Sequence, residues 1–411
     1  MTKKTLRDID ITSKTVLARL DWNVPIENGV VGDAFRIEAT RETLEYLWSR
    51  QAKIIIMSHL GRPDGKANPK FSLAPAAEKA AELFGRKVTF VNDCIGSEVE
   101  AAIDAMQPGD MLCLENVRFH PEEEANDPEF AKYLASLADV YVYDAFASYR
   151  PHASTAGITK YLPSVAGFLV EKEVDYISGA IEHPNRPLVA VIGGAKVSTK
   201  LEILANLIPK VDAMLLTGPI ANTFAAVQGL GIGKSVAEAG VEDEIHKLLA
   251  IAKKANTQLR LPSEVMVSKK LDAPDQLRQV HLGELDPDTG KVLQQGSVAP
   301  DDYIVDAAPG YAAQLKIEIF NFLDFDGKST VVWNGPLGIT EVPEFRAGSR
   351  AMAEAIIASK AISIIGGGDT ANFIDEEKLH DKFTWVSTGG GASLELMSGR
   401  GLPCVDDLED K

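Results

Sequence analysis

Residues 188–200 read LVAVIGGAKVSTK. Leu188–Ile192 is apolar throughout, a run suited to one buried strand, and Gly193 and Gly194 then allow a turn where the backbone can approach a neighbour or a ligand. Lys196 and Lys200 follow four residues apart. On a helix that spacing sets both ammonium groups on one face at a cost of roughly 0.2–0.5 kcal/mol, so an anion is expected between them, near a helix N-terminus whose free N–H groups favour phosphate. The plain alternative is a solvated helix face. SIIGGGDTA (363–371) and WVSTGGGAS (385–393) repeat the design of strand, glycine turn and helix start. Three such junctions in one chain predict an α/β sheet with phosphate at its strand ends.

Short apolar runs alternate with amphipathic or Ala/Glu/Lys-rich segments along all 411 residues, a length that suits two or three domains. Strands are expected at Val16–Leu20, Ile54–Ser58, Met111–Leu114 and Val140–Tyr143, then at Leu188–Ile192, Ala213–Thr217, Thr330–Trp333, Ile362–Ile365 and Thr384–Ser387. Between the two sets a helical pattern from Phe168 to Ile181 ends in the breaker-rich HPNRP, which reads as an interdomain helix. The net charge of −17 opposes general binding of nucleic acid or anionic membrane, so any anion site must be local. Cys94, Cys113 and Cys404 are odd in number and far apart, with no CxxC pair to suggest zinc or redox chemistry. No secretory h-region and no membrane-length apolar stretch is present, and a cytoplasmic location is expected.

In open α/β sheets ligands bind beyond the carboxyl ends of the strands. After the first set come Arg19, Asp21 and Asn23 in RLDWNVP, His59 and Arg62 in SHLGRP, Arg118 in ENVRFHPEE, and Arg150 and His152 in DAFASYRPHAST, with Arg36 in GDAFRIEAT close to a helix start. The guanidinium fork suits phosphate and carboxylate, and so many arginines at strand ends of an acidic chain point to a small, multiply charged acid. An Asx turn is the rival reading for Asp21 with Asn23, and a structural role the rival for His59. The second set ends instead in glycine turns with Lys196, Lys200 and Asp369, which suits a nucleotide. GGGDTA meets the GxGxxA form of a dinucleotide fingerprint, but the next strand runs into TGGGAS and lacks the acidic residue a dehydrogenase needs. An aspartate after glycines suits magnesium on a nucleotide phosphate. GLGIGKS (229–235) imitates a phosphate-binding GxxxxGKS loop, but Gln228 stands where glycine is required.

RLDWNVP, SHLGRP, ENVRFHPEE, DAF followed by RPHAST, GGAKVSTK, WNGPLG, GGGDTA and STGGGAS occur in the order and approximate spacing of one family, and the whole chain resembles phosphoglycerate kinase. The resemblance implies two doubly wound, Rossmann-like parallel-sheet α/β domains joined by an interdomain helix, bilobed with a central cleft. It divides the chain into a 3-phosphoglycerate domain at 1–167, the helix and hinge at 168–185, a nucleotide domain at 186–385 and a segment at 386–411 that returns to the first domain. It implies reversible phosphoryl transfer between 1,3-bisphosphoglycerate and ADP by a monomer that closes on its substrates. Asp21, Asn23, Arg36, His59, Arg62, Arg118 and Arg150 match the acid-binding set. Lys196, Lys200, Asn334, Glu341, Gly367, Gly368, Asp369 and Thr370 match the nucleotide set, with Glu341 on the ribose and Asp369 on magnesium. Arg36, Lys196, Lys200, Gly367 and Gly390 are the expected catalytic groups. The acceptor, a carboxylate ionised at neutral pH, needs no general base. Three segments depart from the family: Tyr149 stands where a histidine is usual, DAAPGY (306–311) carries Ala308 in place of a glycine, and GPIANTF (218–224) is less glycine-rich. A non-catalytic nucleotide-binding or scaffold protein of the same fold is the alternative.

Overall fold

The computed structural model describes residues 1–286, 291–320 and 327–411. It forms two compact units, Met1–Asp175 with Gly401–Lys411, and Tyr176–Arg400. Residues 386–400, read from sequence as part of the returning segment, cluster with the second unit, and the division falls inside the helix Phe168–Glu182.

In the first unit six strands, β1 (Thr15–Leu20), β2 (Lys53–Met57), β3 (Val88–Val91), β4 (Met111–Leu114), β5 (Val140–Asp144) and β6 (Ser164–Ala166), lie in the order β3-β4-β2-β1-β5-β6. Every pairing is parallel. Covered on both faces, the central strands are continuously buried instead of alternating, which is why they stood out as apolar runs. Edge strands β3 and β6 are short, and β3 is half exposed, so neither gave such a run. The helix Phe168–Glu182 starts against Asp144, whose Oδ1 accepts the Val170 N–H at 3.0 Å. Thr43 Oγ1 accepts the Phe168 N–H at 2.9 Å. A Cβ on Gly167 would lie 2.3 Å from Asp144 Cγ, so only glycine lets the helix begin there. The chain's last residues pack beside its first: Lys4 N–H donates to Glu409 O at 2.7 Å and Lys411 N–H to Thr2 O at 3.0 Å.

The second unit holds β7 (Leu188–Ile192), β8 (Ala213–Leu216), β9 (Gln258–Arg260), β10 (Thr330–Asn334), β11 (Ile362–Gly366) and β12 (Trp385–Val386) in the order β9-β8-β7-β10-β11-β12, again all parallel. Numbered within the unit, this is the 3-2-1-4-5-6 order of dinucleotide-binding folds, whose winding reverses between its first and fourth strands, here β7 and β10. An antiparallel trio, Arg278–His281, Glu264–Ser268 and Tyr303–Ala307, packs a smaller core around Leu230, Val265, Val267 and Leu282.

Candidate functional site

At the reversal in the second unit the ends of β7 and β10 are pressed together. Gly193 N–H donates to Asn334 O at 2.8 Å. A Cβ on Gly335, at φ +99°, would sit 2.4 Å from the Gly193 carbonyl carbon, and one on Gly193 would sit 2.4 Å from Thr217 Oγ1. Glycine at both positions is a steric requirement.

The expected helix face bearing both lysines is not formed. The helix begins at Leu201 with Lys200 as its N-cap, and residues 193–200 are irregular, so the i,i+4 spacing has no helical meaning there. Lys196 is exposed. Lys200 folds back across the reversal, only 9% exposed, and its Nζ donates to Gly193 O and Asn334 Oδ1, each at 2.5 Å. Burial pulls its pKa from 10.5 to about 8, against the pull of the negative Asp369 nearby. A cation held here without a carboxylate partner among the described residues is a group prepared for an incoming anion.

Asn334 Nδ2 is buried with no hydrogen-bond partner among the described residues. It faces the next glycine turn, since a Cβ built on Gly366 or Gly367 would lie 3.2 or 3.1 Å from it. Gly367, at φ +88°, is the N-cap of the helix Gly368–Glu376, and Asp369 stands exposed in its first turn. Thr370 points inward, where its Oγ1 accepts the Gly335 N–H at 2.8 Å and ties the two glycine turns together. Gly390, at φ +44°, leads into the helix Gly391–Met397, and a 2.5 Å Ser387–Ser393 hydroxyl contact braces that turn. Glu341 lies exposed in the loop after β10, with no contact among the described residues that ties it to Lys200 or Asn334. An exposed carboxylate beside an unpartnered amide donor and a buried ammonium suits magnesium carried on phosphate oxygens, because the ion accepts one carboxylate and completes its shell from ligand and water.

In the first unit the reversal falls between β1 and β5, and the cations cluster at the ends of β1, β2 and β4. Asp21, buried, forms an ion pair with Arg36 at 2.6 Å. Its other oxygen accepts the Asn23 N–H at 3.3 Å, so the Asx turn weighed against a binding role is present. Asn23 Oδ1 accepts the Gly61 N–H at 3.0 Å, joining the loops after β1 and β2. Arg118 donates to Gly61 O at 2.9 Å and pairs with Glu124 at 3.3 Å. Arg62 and Arg150 are exposed, with no ion pair among the described residues.

His59 is buried, and its Nδ1 faces an Arg19 guanidinium nitrogen at 3.1 Å. A guanidinium only donates, so Nδ1 is the acceptor and Nε2 carries the proton. Burial, then the charges of Arg19, Arg118, Arg36 and His152, push the His59 pKa well below its usual value and keep the ring neutral. Arg19 itself is buried and donates to Ser154 Oγ at 3.0 Å, and Ser154 in turn donates its N–H and hydroxyl to the buried Glu123 at 2.8 and 2.6 Å. This support was not legible in sequence, where Glu123 looks like one of three glutamates in a surface PEEE run. The structure thus gathers Asp21, Asn23, Arg36, His59 and Arg118 into one region with Arg62 within electrostatic reach of Arg118. Arg150 is not linked to it by a side-chain contact among the described residues.

Comparison with known proteins follows the same lines. The family model described as Phosphoglycerate kinase matches residues 6–400. Proteins named phosphoglycerate kinase from Moorella thermoacetica and Dictyoglomus turgidum are each 45% identical to the chain, with 100% of both sequences covered. Among solved structures, phosphoglycerate kinase from Coxiella burnetii superposes with a TM-score of 0.84 at 37% identity over 98% of each chain. The enzyme from Pyrococcus horikoshii gives 0.81 at 28% identity over 98% of each chain.

Proposed function

The chain belongs to the phosphoglycerate kinase family, and from that premise we propose that its two units divide the ligands: the arginine cluster of the first takes 3-phosphoglycerate or 1,3-bisphosphoglycerate, and the glycine turns of the second take ADP or ATP with magnesium. The enzyme is a glycolytic kinase that moves a phosphoryl group reversibly between 1,3-bisphosphoglycerate and ADP. The observation that carries the division is Lys200, a buried ammonium lying across the winding reversal with an unpartnered amide donor of Asn334 beside it.

Phosphoryl transfer to a carboxylate asks the protein for position and for neutralisation of charge on the transferring oxygens. Arg36 and Lys200 supply fixed positive charge, with Lys196, and backbone amides at Gly367 and Gly390 add dipoles. His59, Arg62, Arg118, Asp21, Asn23 and Arg150 hold the acid, with the neutral His59 presenting Nε2–H. Asn334, Gly367, Gly368, Thr370 and Glu341 position the nucleotide. Asp369 would hold magnesium, which when bound offsets the charge of the nucleotide phosphates. We read the enzyme as a cytoplasmic monomer, its charge of −17 opposing nucleic acid and anionic membranes. No described helix is long and apolar enough to cross a membrane.

The test is a coupled assay of ADP formation from ATP, 3-phosphoglycerate and magnesium. Turnover that vanishes on chelation and in Lys200→Met is expected; binding of both ligands without turnover would overturn the reading in favour of a scaffold.

A further inference from the structure

Two loops of the first unit meet away from the arginine cluster. One carries Asp93 and Cys94 just after β3; the other carries His120 just after the turn Val117–Phe119. A carboxylate oxygen of Asp93, the Cys94 sulfur and a ring nitrogen of His120 all lie within 4.8 Å of one another. Asp93 Oδ1 contacts His120 Nε2 at 2.7 Å and accepts the Cys94 N–H at 2.7 Å. These bonds hold the backbone and ring in place. The thiol is enclosed with them, for Cys94 is 0% exposed and its sulfur lies within 4.8 Å of the other two groups. The charges that act on it most, Asp93, Glu123 and Glu115, are all negative. Such surroundings oppose a bare thiolate and favour a cation beside the sulfur.

We propose that Cys94 Sγ, His120 Nε2 and an Asp93 oxygen form a site for a borderline-soft divalent cation of the zinc class, with water as fourth ligand. Bond lengths of about 2.3 Å to sulfur and 2.0–2.2 Å to nitrogen and oxygen place the ligands of a tetrahedral ion about 3.3–3.7 Å apart. From the present cluster, the Asp93–His120 contact of 2.7 Å must widen, and the groups that lie up to 4.8 Å apart must close by about 1 Å. Binding expels the thiol proton to solvent and moves the Nε2 proton of His120 to Nδ1, so affinity rises with pH. The site differs from the magnesium position at Asp369 in unit, in ligand softness and in taking three of its four ligands from protein side chains. It would pin the turn that bears Arg118 to the loop after β3. The 25 residues between Cys94 and His120 match no metal-binding spacing, so only the fold brings them together.

The test uses the full-length protein, stripped with EDTA and titrated with Cd²⁺ as a spectroscopic substitute for zinc. One equivalent should produce the ultraviolet thiolate-to-cadmium charge-transfer band, Zn²⁺ should displace it, and Cys404→Ser should leave it unchanged. Cys94→Ser should abolish the band, and His120→Gln should weaken cadmium binding roughly tenfold or more. Absence of the band at a tenfold excess of Cd²⁺, or its survival in Cys94→Ser, would overturn the proposal. Should Cys94→Ser fail to fold, an undiminished cadmium affinity in folded His120→Gln would overturn it equally.

Discussion

Replacing Lys200 by methionine tests whether the second unit stores an uncompensated charge. A pKa lowered from 10.5 to about 8 means that holding the proton at neutral pH costs the folded, ligand-free protein about 3 kcal/mol, at 1.36 kcal/mol per pH unit. The unfolded chain keeps that proton up to pH 10.5 and the folded one releases it near 8, so the unfolded state binds more protons in this window and stability rises with pH across it. At pH 9.5 the remaining cost is about 1.4 kcal/mol, and wild type therefore gains about 2 kcal/mol between pH 7 and 9.5 that Lys200→Met cannot gain. The variant also strips a donor from Gly193 O and Asn334 Oδ1, but that loss is the same at both pH values and cancels. Urea unfolding without ligands, followed by the fluorescence of Trp333 and Trp385, measures the difference. If the gap between the two proteins is the same at pH 7 and 9.5 within about 0.5 kcal/mol, Lys200 is a satisfied structural lysine and its role as a waiting cation is wrong. The same charge predicts that binding of ATP takes up a proton near pH 8.5, which isothermal calorimetry in buffers of different ionisation enthalpy would detect.

Arg36→Ala should lower kcat about a hundredfold or more with a smaller change in KM, and a rise in KM alone would make it a binding residue. Asp369→Ala should raise the KM for magnesium-ATP roughly tenfold and leave 3-phosphoglycerate affinity, measured by calorimetry, unchanged. Asp306 is pushed up to about 8 by burial, so the folded state holds an extra proton between about pH 4 and 8 and loses stability as pH rises. Asp306→Asn keeps an acceptor for the Gly348 N–H, bonded at 2.6 Å, and should be more stable than wild type by at least about 1 kcal/mol at pH 8 but not at pH 5, by chemical denaturation. Gly335→Ala should destabilise the second unit by about 3 kcal/mol or more, because its Cβ would overlap the Gly193 backbone; a loss under about 1 kcal/mol would refute the packing argument.

The central strands were legible because parallel sheets bury both faces and leave unbroken runs such as LVAVI and VYVYD. The helix expected at Phe168–Ile181 runs Phe168–Glu182 for a similar reason, a clear apolar period between firm stops. Short edge strands such as Gln258–Arg260, partly exposed, and the antiparallel trio carried no such signal. At the site, the residues that follow strands were legible but their directions were not. Lys196 and Lys200 read alike, yet one faces solvent and the other turns inward, a choice made by the gap between β7 and β10. Asp21 and Arg36 read as separate ligands, yet they pair with each other. Arg19 with Glu123, and Cys94 with His120, depend on loops that meet only after folding.

The return of Gly401–Lys411 to the first unit makes the second unit, in topological terms, one long insertion. On the ribosome the order of completion is then inverted. All of residues 176–400 emerge before the first unit receives its final segment, and at about 5–20 residues per second that wait lasts on the order of half a minute. Until then the Ser164 carbonyl lacks the Glu409 N–H that later bonds it at 3.1 Å, and the loop bearing Arg150 lacks the Cys404 thiol that lies 3.1 Å from Tyr149 O and 3.3 Å from Arg150 O. A chain stalled at residue 400 would carry every residue of the two proposed ligand sets, yet the first unit would be unfinished on the side where Arg150 sits.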